Sequence, residues 1–598
     1  MTEATTKPPD YILGRWKLDD LFPGHDSKEM KAALKQLETK VSAFEKFRTQ
    51  LKPAIKEKDF IAILKQLEAN TRLAARIDQF AGLWYSENTQ NQDAQTFQAQ
   101  IEQKLAELQN RTLFFSLWWK ALDEKNAKRL IKAAGKEYEY WLRQMRNFKP
   151  YTLAESEEQI INLKDVTGAK ALQTLYSSIT NRYVFKVKTD GETKDYNRAE
   201  LSKLIYNPNA EHRSAAYREL YRVFGADGSI LGQMYQTLTR DYHNENIGLR
   251  KFSSPISARN LGNDIPDEVV DTLLGVSEEN TRVFQRFFKM KAKLLGMQKL
   301  RRYDIYAPVA SSNKEYTYQQ AVNMTLECFA EFDPKLEKLS RNVFKRGHVD
   351  SEPRQGKRSG AFCSASDPDL LPWVLVNFTG SARDVSTIAH EFGHAVHDML
   401  AAGHNIFSYH PSLPLAETAS TFAEMLLVDR LLAEETDPDV RRDILFSKVD
   451  DAYATIMRQV YFALFERQAH DLVAKGVSVD EMSAAYMGNL KSQFGDSLEV
   501  ADEFKWEWIS IPHIYYYPFY VYAYAFGQLL VFALYQQYKA EGEAFKPRYL
   551  ELLSAGGSRS PKDILTRAGF DMRDPAFWQG GYDVVSKMVD ELEGLTGE

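Results

Sequence analysis

Cysteine is scarce in this 598-residue sequence, which contains only Cys328 and Cys363. Two cysteines supply neither a disulfide framework nor a cysteine-based zinc site, and this usage fits a reducing compartment. The N-terminal stretch MTEATTKPPD has no apolar core of the kind that a signal peptide needs. We therefore predict a cytoplasmic protein.

A strong excess of one charge sign is also absent. The chain has 76 Lys and Arg residues against 82 Asp and Glu residues, which gives a net charge of −6. This balance argues against a nucleic-acid partner. A chain that is 44% hydrophobic and 26% charged is typical of a globular protein. Its length exceeds one ordinary hydrophobic core, so we expect two or more lobes.

Long apolar runs are missing as well, with one apparent exception. The stretch from Ile514 to Tyr538 has no charged residue and is long enough to span a bilayer. It also holds eight tyrosines, three glutamines, Pro518 and Gly527, and so many polar groups suit hydrocarbon poorly. We predict a buried helix that lines a polar cavity, and no membrane partner.

One short stretch carries the clearest chemical signal. His390, Glu391 and His394 match the pattern His-Glu-x-x-His. On a helix, residues four apart lie on one face, so both imidazoles can reach one metal ion. Glu391 lies about 100° around the helix from His390, where it can hold a metal-bound water instead of the metal itself. The pattern indicates zinc and leaves the class of zinc protein open.

The neighbouring sequence favours a helix here. Between Val385 and Leu400, apolar residues recur at four-residue spacing as a packing stripe, and Asp384 or Ser386 is placed to cap the start. The residues just before it, 373–379, predict a strand of a small β-sheet near the zinc site. This strand has two interpretations: its edge pairs with an extended peptide, or it is simply a buried strand.

A catalytic zinc site needs a third protein ligand and an open position for water. The metzincin pattern is excluded, because His397 and Leu400 stand where that pattern requires Gly and His. His397 lies one turn beyond His394, which suggests a structural or ligand-supporting role. The candidates for the third ligand are His397, His404, His410, Glu417 and Glu424.

Glu417 opens the next apolar-periodic run, 415–430, which predicts a second helix packed against the first. Ser420 and Glu424 follow on the same face and are placed to hydrogen-bond the metal ligands. The alternative for Glu417 is a glutamate that is favoured in a first helical turn by the helix dipole.

The rest of the chain is mostly helical in pattern, with few breakers after Asp26. Residues 183–194 alternate in polarity and contain Asp190-Gly191, which predicts a β-hairpin. The fold class is therefore mainly α. We expect an N-terminal helical lobe at 1–200 and a catalytic lobe at 201–598.

A second informative stretch lies at 511–527, where His513 is followed by six tyrosines. Phenol and imidazole groups could donate hydrogen bonds where negative charge develops in a reaction. Tyrosines are also common in protein cores, so most of these six fit a structural role.

Taken together, these segments resemble the oligoendopeptidase F branch of the thimet-oligopeptidase family of zinc peptidases. The resemblance covers nearly the whole chain, and the zinc motifs are its most specific part. The segments that carry it are Trp16–Pro23, Lys357–Phe362, Asp384–His394, Leu415–Ser420, His513–Gly527 and Gly556–Pro561.

The resemblance implies two helical lobes that enclose a deep substrate channel. It implies one Zn²⁺ per chain, held by His390, His394 and Glu417, with Glu391 as the general base. The family also uses a histidine and two tyrosines seven residues apart to bind the oxyanion and the substrate carbonyl. His513, Tyr517 and Tyr524 match this set, although the interval from His513 to Tyr517 is one residue shorter than in the thimet-type enzymes.

The function that follows is a zinc metalloendopeptidase that cuts internal bonds of short, unfolded oligopeptides. One alternative is a helical zinc carboxypeptidase that trims peptides from the C-terminus. Another is a non-catalytic helical protein with a structural zinc, although structural sites fill four protein ligands. The oligomeric state stays open.

Overall fold

The computed structural model describes residues 10–309 and 314–596, and these residues form a mainly helical protein, as the sequence predicts. The chain divides into two compact units. Unit 1 comprises Met1–Lys149, Asn313–Glu434 and Gln537–Phe570, and unit 2 comprises Pro150–Ser312, Glu435–Gln536 and Asp571–Glu598. Each unit is built from three separate segments, whereas the domain boundary at residue 200 stays a sequence-based prediction.

Unit 1 contains the helices Lys28–Glu45, Glu57–Glu87, Gln92–Thr112, Phe114–Ala121, Glu124–Ala134, Lys136–Asn147, Tyr318–Phe332, Pro334–Arg346, Ala382–Ala401, Leu413–Ala416, Thr418–Glu434, Lys546–Ser554 and Pro561–Arg567. The N-terminal stretch packs against the rest of unit 1, because Trp16, Leu21 and Phe22 are buried in one hydrophobic cluster with Phe80 and Trp373. Two of these helices carry predicted site residues: the motif helix, Ala382–Ala401, and the Glu424 helix, Thr418–Glu434.

A three-stranded sheet in unit 1 precedes the motif helix. Its central strand, Trp373–Leu375, is shorter than the predicted 373–379 and fully buried. It pairs in parallel with Val349–Asp350 and antiparallel with Phe362–Ser364. Because both of its edges are paired, the suggestion that this strand pairs with a peptide is wrong. The alternative, a buried strand, is confirmed.

The motif helix begins earlier than the sequence suggested. Its N-cap is Ser381, whose hydroxyl accepts a hydrogen bond from the N–H of Asp384 at 3.2 Å, while the Asp384 carboxylate accepts from the Ser381 N–H at 3.1 Å. This reciprocal pair is a capping box, so Asp384 occupies the third helical position. The prediction of Asp384 or Ser386 as the cap is therefore wrong by one turn.

Unit 2 contains the helices Glu155–Thr167, Ala169–Thr180, Arg198–Ile205, Ala210–Ala226, Gly228–His243, Pro255–Asn263, Asp267–Glu279, Thr281–Leu294, Pro438–Ala452, Arg458–Ala474, Val479–Phe494, Pro512–Tyr516 and Pro575–Thr596. The Tyr524 helix, Tyr522–Glu541, belongs to it as far as Gln536. Short 3₁₀ or π turns lie at Lys46–Thr49, Lys149–Tyr151, Asn244–Leu249, Arg302–Asp304, Tyr453–Met457, Asp502–Trp506, Trp508–Ser510 and Gly542–Ala544.

The predicted hairpin is confirmed in unit 2. Strands Phe185–Thr189 and Glu192–Tyr196 pair antiparallel, and the turn between them places Asp190 and Gly191 at φ 54° and 84°. Positive φ at both turn residues is what an Asp-Gly hairpin needs. A second strand pair, Leu300–Arg301 with Leu498–Glu499, is parallel.

The prediction of a buried helix in the uncharged stretch is confirmed only from Tyr522 onward, because a loop at 517–521 separates the helix Pro512–Tyr516 from the Tyr524 helix. The polar cavity that this helix was expected to line stays a prediction. Most side chains of the Tyr524 helix from Tyr522 to Tyr535 are buried, including Phe526, Leu530 and Leu534. No helix within residues 10–309 or 314–596 is both long and apolar enough to cross a bilayer.

Candidate active site

Three of the predicted metal ligands converge in unit 1. Glu417 Oε2 lies 3.3 Å from His390 Nε2 and 3.3 Å from His394 Nε2. Ligand atoms about 2.0–2.1 Å from a tetrahedral zinc ion stand about 3.3 Å apart, so these separations fit Zn²⁺. Two neutral imidazoles and one carboxylate are also a donor set that zinc accepts in catalytic sites. The three residues therefore fit the ion that the sequence predicts.

The cluster keeps an open side. The side chains of His390, His394 and Glu417 are 27%, 23% and 48% exposed. Within the described residues, these three form the only group of His, Cys, Asp or Glu side chains placed to share a metal ion. A structural zinc site would fill a fourth position with protein, so this arrangement favours a catalytic site.

The other candidates for the third ligand have different partners. His404 Nε2 lies 2.8 Å from the carbonyl of Ser554, in a structural hydrogen bond. His410 Nδ1 stands 3.7 Å from Asp398 Oδ1. His397 is buried, and burial lowers the pKa of its ring to about 4 despite the nearby Asp398 carboxylate. His397 lines the same cavity as the cluster without joining it.

Glu424 and Ser420 form hydrogen bonds with two of the predicted metal ligands. Glu424 Oε1 lies 2.6 Å from His390 Nδ1, which leaves Nε2 of that ring for the metal. The hydroxyl of Ser386 donates to the other Glu424 oxygen at 3.3 Å. Ser420 Oγ donates to Glu417 Oε2 at 2.7 Å. The structure thus places Ser420 and Glu424 against the ligands, as their positions on one helical face predict.

A glycine permits the close approach of the two helices. A Cβ at Gly393 would lie 2.5 Å from Ser420 Cα and 2.6 Å from the carbonyl oxygen of Ala419, closer than side chains tolerate. The contact brings the start of the Glu424 helix, and with it Glu417, to the face that carries His390 and His394. Sequence reasoning missed Gly393, and the available signal was a glycine inside a helical pattern.

We expect Gly393→Ala to force this helix pair apart. Because the clash is with backbone, the free energy of unfolding should fall by about 1–3 kcal/mol, as in other overpacked cores. Zinc affinity should fall too. Gly82→Ala is the matched control, since Gly82 lies in the helix Glu57–Glu87 with no atom within 4 Å of its added Cβ. That control should be neutral or slightly stabilising. Thermal melts of both variants measure this difference. A Gly393→Ala variant with the melting temperature of the wild type would refute the close packing of the two helices.

Glu391 lies beside the cluster, on the wall of a cavity of about 490 Å³. Residues 361–365, Asp398 and His410 line the same cavity. The Glu391 side chain is buried, and burial raises the pKa of its carboxyl, although the His390 and His394 rings oppose this effect. A carboxylate of raised pKa beside an open metal position is placed to accept a proton. Sequence reasoning missed Asp398, because neither its spacing nor its neighbours marked it.

The predicted His513, Tyr517 and Tyr524 lie together in unit 2. The ring of His513 is 6.1 Å from that of Tyr524, and the side chains of Tyr517 and Tyr524 are 56% and 36% exposed. Tyr520, which the sequence did not single out, joins them: its ring is 5.3 Å from Tyr524 and 6.0 Å from Tyr517. Burial, and then the charge of Arg458, lower the pKa of His513.

Comparison with known proteins identifies the family of the chain. Residues 203–584 match the profile of Peptidase family M3, and residues 118–185 match the profile named Oligopeptidase F. The oligopeptidase PepF of Bacillus subtilis is 27% identical over 97% of this chain and 87% of its own length. A crystal structure from Chlamydophila abortus has a TM-score of 0.86 at 23% identity, covering 97% of this chain and 98% of its own. The oligoendopeptidase F structure from Enterococcus faecium has a TM-score of 0.72, also at 23% identity, covering 95% of this chain and 99% of its own. The predicted resemblance is confirmed, and the chain belongs to peptidase family M3.

Proposed function

We propose that this protein is a zinc metalloendopeptidase that hydrolyses internal bonds of short, unfolded oligopeptides in the cytoplasm. The observation that carries the proposal is the convergence of His390, His394 and Glu417, with an open side and Glu391 beside them. Membership of family M3 and the names of the relatives, which include oligopeptidases and oligoendopeptidases, support peptides as the substrates.

His390, His394 and Glu417 would hold one Zn²⁺ per chain. When bound, the ion supplies Lewis-acid chemistry that lowers the pKa of water and polarises the scissile carbonyl. Glu424 fixes the tautomer of His390, and Ser420 orients the Glu417 carboxylate, so the chain itself sets the directions of the ligand atoms.

Glu391 acts as the general base and then as the general acid. It accepts a proton from the attacking water and then delivers that proton to the leaving amine. Its buried position supports both steps, because burial raises the pKa of its carboxyl and makes it a better base than an exposed glutamate.

His513, Tyr517 and Tyr524 complete the proposal as the donors to the oxyanion that develops on the scissile carbonyl. This assignment rests on the family resemblance and on the match to its seven-residue tyrosine spacing. The exposure of Tyr517 and Tyr524, 56% and 36%, supports it, because solvent reaches both side chains.

The experiment that tests the function is mass spectrometry of the products from a mixed library of short peptides. We expect cuts at internal bonds, and a stable folded protein in the same sample should survive. Loss of single residues from the C-terminus would instead favour the zinc carboxypeptidase alternative. Absence of any cleavage by zinc-loaded protein would favour a structural zinc. Rapid digestion of the folded protein would contradict the enclosed channel.

The Tyr524→Phe variant tests the oxyanion assignment. Removing a donor that acts in the transition state should lower kcat by about 10²–10³-fold and change KM far less. Tyr522→Phe is the matched control, because the Tyr522 hydroxyl is buried and accepts a hydrogen bond from Asn263 at 2.8 Å. That control should lose about 1 kcal/mol of stability and little rate. An unchanged kcat in Tyr524→Phe would return this tyrosine to a structural role.

A further inference from the structure

The loop that carries Tyr517 has an unusual backbone. It connects the helix Pro512–Tyr516 to the Tyr524 helix, and Phe519 within it has φ 57°. A residue other than glycine rarely adopts this left-handed conformation, and it persists only where the surroundings hold it. Phe519 is also buried, with its ring 4.7 Å from that of His470. Something must therefore stabilise this turn.

Glu466 supplies one hold on the loop. Its Oε1 accepts a hydrogen bond from the Phe519 N–H at 2.9 Å. The residue lies in the helix Arg458–Ala474, 53 positions away in sequence, and is completely buried. Burial raises the pKa of its carboxyl to about 8, despite the Phe519 hydrogen bond and the charge of Arg259, so the group is mainly protonated at pH 7. Within the described residues, the other oxygen, Oε2, has no hydrogen-bond partner.

Arg259 supplies a second hold, on the neighbouring peptide group. From the helix Pro255–Asn263, its Nε donates to the carbonyl of Pro518 at 3.0 Å. The loop is thus held at adjacent residues by two different helices, through one acceptor and one donor. Among the residues that the structure describes, the buried Glu466 carboxyl makes one hydrogen bond, to the backbone N–H of a residue in the left-handed conformation, so its evident structural task is to hold this turn.

Backbone hydrogen bonds connect the Pro518–Phe519 turn to the two predicted oxyanion residues, Tyr517 and Tyr524. The Tyr517 N–H bonds to the His513 carbonyl at 2.8 Å, and the Tyr520 N–H bonds to the Tyr517 carbonyl at 3.0 Å. The Tyr524 N–H bonds to the Val521 carbonyl at 3.2 Å, in the first turn of its helix. A shift of the Pro518–Phe519 peptide therefore moves Tyr517 on one side and Tyr524 on the other.

We propose that Glu466 and Arg259 are positioning residues that clamp the Pro518–Phe519 turn and so fix Tyr517 and Tyr524 for transition-state stabilisation. This inference rests on the proposed role of these tyrosines as oxyanion donors. Neither Glu466 nor Arg259 touches the reacting atoms; both act through the loop. A displacement of about 1 Å can slow a reaction about 10²-fold, so loss of either hydrogen bond to the turn should lower the rate.

The first test compares two substitutions at Glu466. Glu466→Ala removes the acceptor, and we expect kcat to fall about 10–100-fold with KM and zinc content nearly unchanged. Glu466→Gln keeps an oxygen for the Phe519 N–H and matches the protonated carboxyl in shape, so it should restore kcat to near the wild-type value. Wild-type kcat in a folded Glu466→Ala variant would overturn the proposal, and so would equal losses in both variants.

A double-mutant cycle separates this inference from the function on which it rests. In a Tyr524→Phe background, Glu466→Ala should cost much less than it does alone, because the group that it positions is already gone. Full additivity would overturn the positioning role while leaving Tyr524 as a donor. If Tyr524→Phe and Tyr517→Phe alone leave kcat unchanged, the proposed oxyanion assignment fails first.

Arg259 provides a test that does not depend on a buried substitution. Arg259→Ala removes the donor to Pro518 from a half-buried position, and we expect kcat to fall about 10-fold without loss of the fold. Arg467→Ala is the matched control: Arg467 follows Glu466 on the same helix and pairs with the exposed Asp271. Wild-type kcat in Arg259→Ala, or an equal loss in Arg467→Ala, would contradict the clamp.

Discussion

We expect the Glu391→Gln variant to lose nearly all peptide turnover while it keeps its fold and its zinc. Glutamine has nearly the same shape as glutamate but cannot accept the proton of the attacking water. A positioned general base contributes about 10²–10⁴-fold to a rate, so kcat should fall by that factor. The ligand cluster does not include Glu391, and KM should therefore change little.

Steady-state kinetics and metal analysis of the same preparation test this expectation. Zinc content and melting temperature serve as internal controls, because a loss of either would explain the lost rate without any role for the base. Substantial turnover by a pure, zinc-loaded Glu391→Gln variant would refute the assignment of Glu391 as the general base.

The second large effect concerns Glu417 and the affinity for zinc. Removing a group that only supports a ligand typically weakens binding 10–100-fold, so removal of a ligand itself should cost more. We expect Glu417→Ala to bind zinc more than about 100-fold more weakly than the wild type. Glu424→Gln, which disturbs the support of His390 Nδ1, should fall within the 10–100-fold range.

The three histidines outside the cluster are the controls for this series. His397→Ala, His404→Ala and His410→Ala should keep stoichiometric zinc. His397 lies outside the group that is placed to share a metal ion, and the rings of His404 and His410 lie against the Ser554 carbonyl and Asp398, respectively. Competition titrations with a chelator would rank all five variants. Wild-type affinity in Glu417→Ala, or metal loss in one of these controls, would show that the third ligand has been misplaced.

The parts of the structure that depend on short sequence spacing could be predicted. The His390–His394 pair needs only a helix, and the Asp190-Gly191 hairpin needs only a turn that favours positive φ. The convergence of Glu417 with the two histidines is different, because the connection between the two helices has no geometry that its sequence dictates. Spacing alone left five candidates, and the family resemblance selected one.

The remaining features depend on contacts between distant residues. Gly393 matters only because Ser420 packs against it, and Trp373–Leu375 lost its free edge only because two other segments pair with it. Nothing in the sequence distinguishes Glu466 from other helical glutamates, yet it is buried and accepts a hydrogen bond from Phe519, 53 residues further along the chain. Patterns within one element cannot reveal such pairs.

The central claim is that His390, His394 and Glu417 hold a catalytic zinc ion. Anomalous diffraction at the zinc absorption edge, from crystals of the zinc-loaded protein, tests it most directly. We expect one peak per chain, about 2.0–2.2 Å from His390 Nε2, His394 Nε2 and a Glu417 carboxylate oxygen, with the remaining position occupied by solvent. A fourth protein ligand, or a peak elsewhere in the chain, would contradict the account.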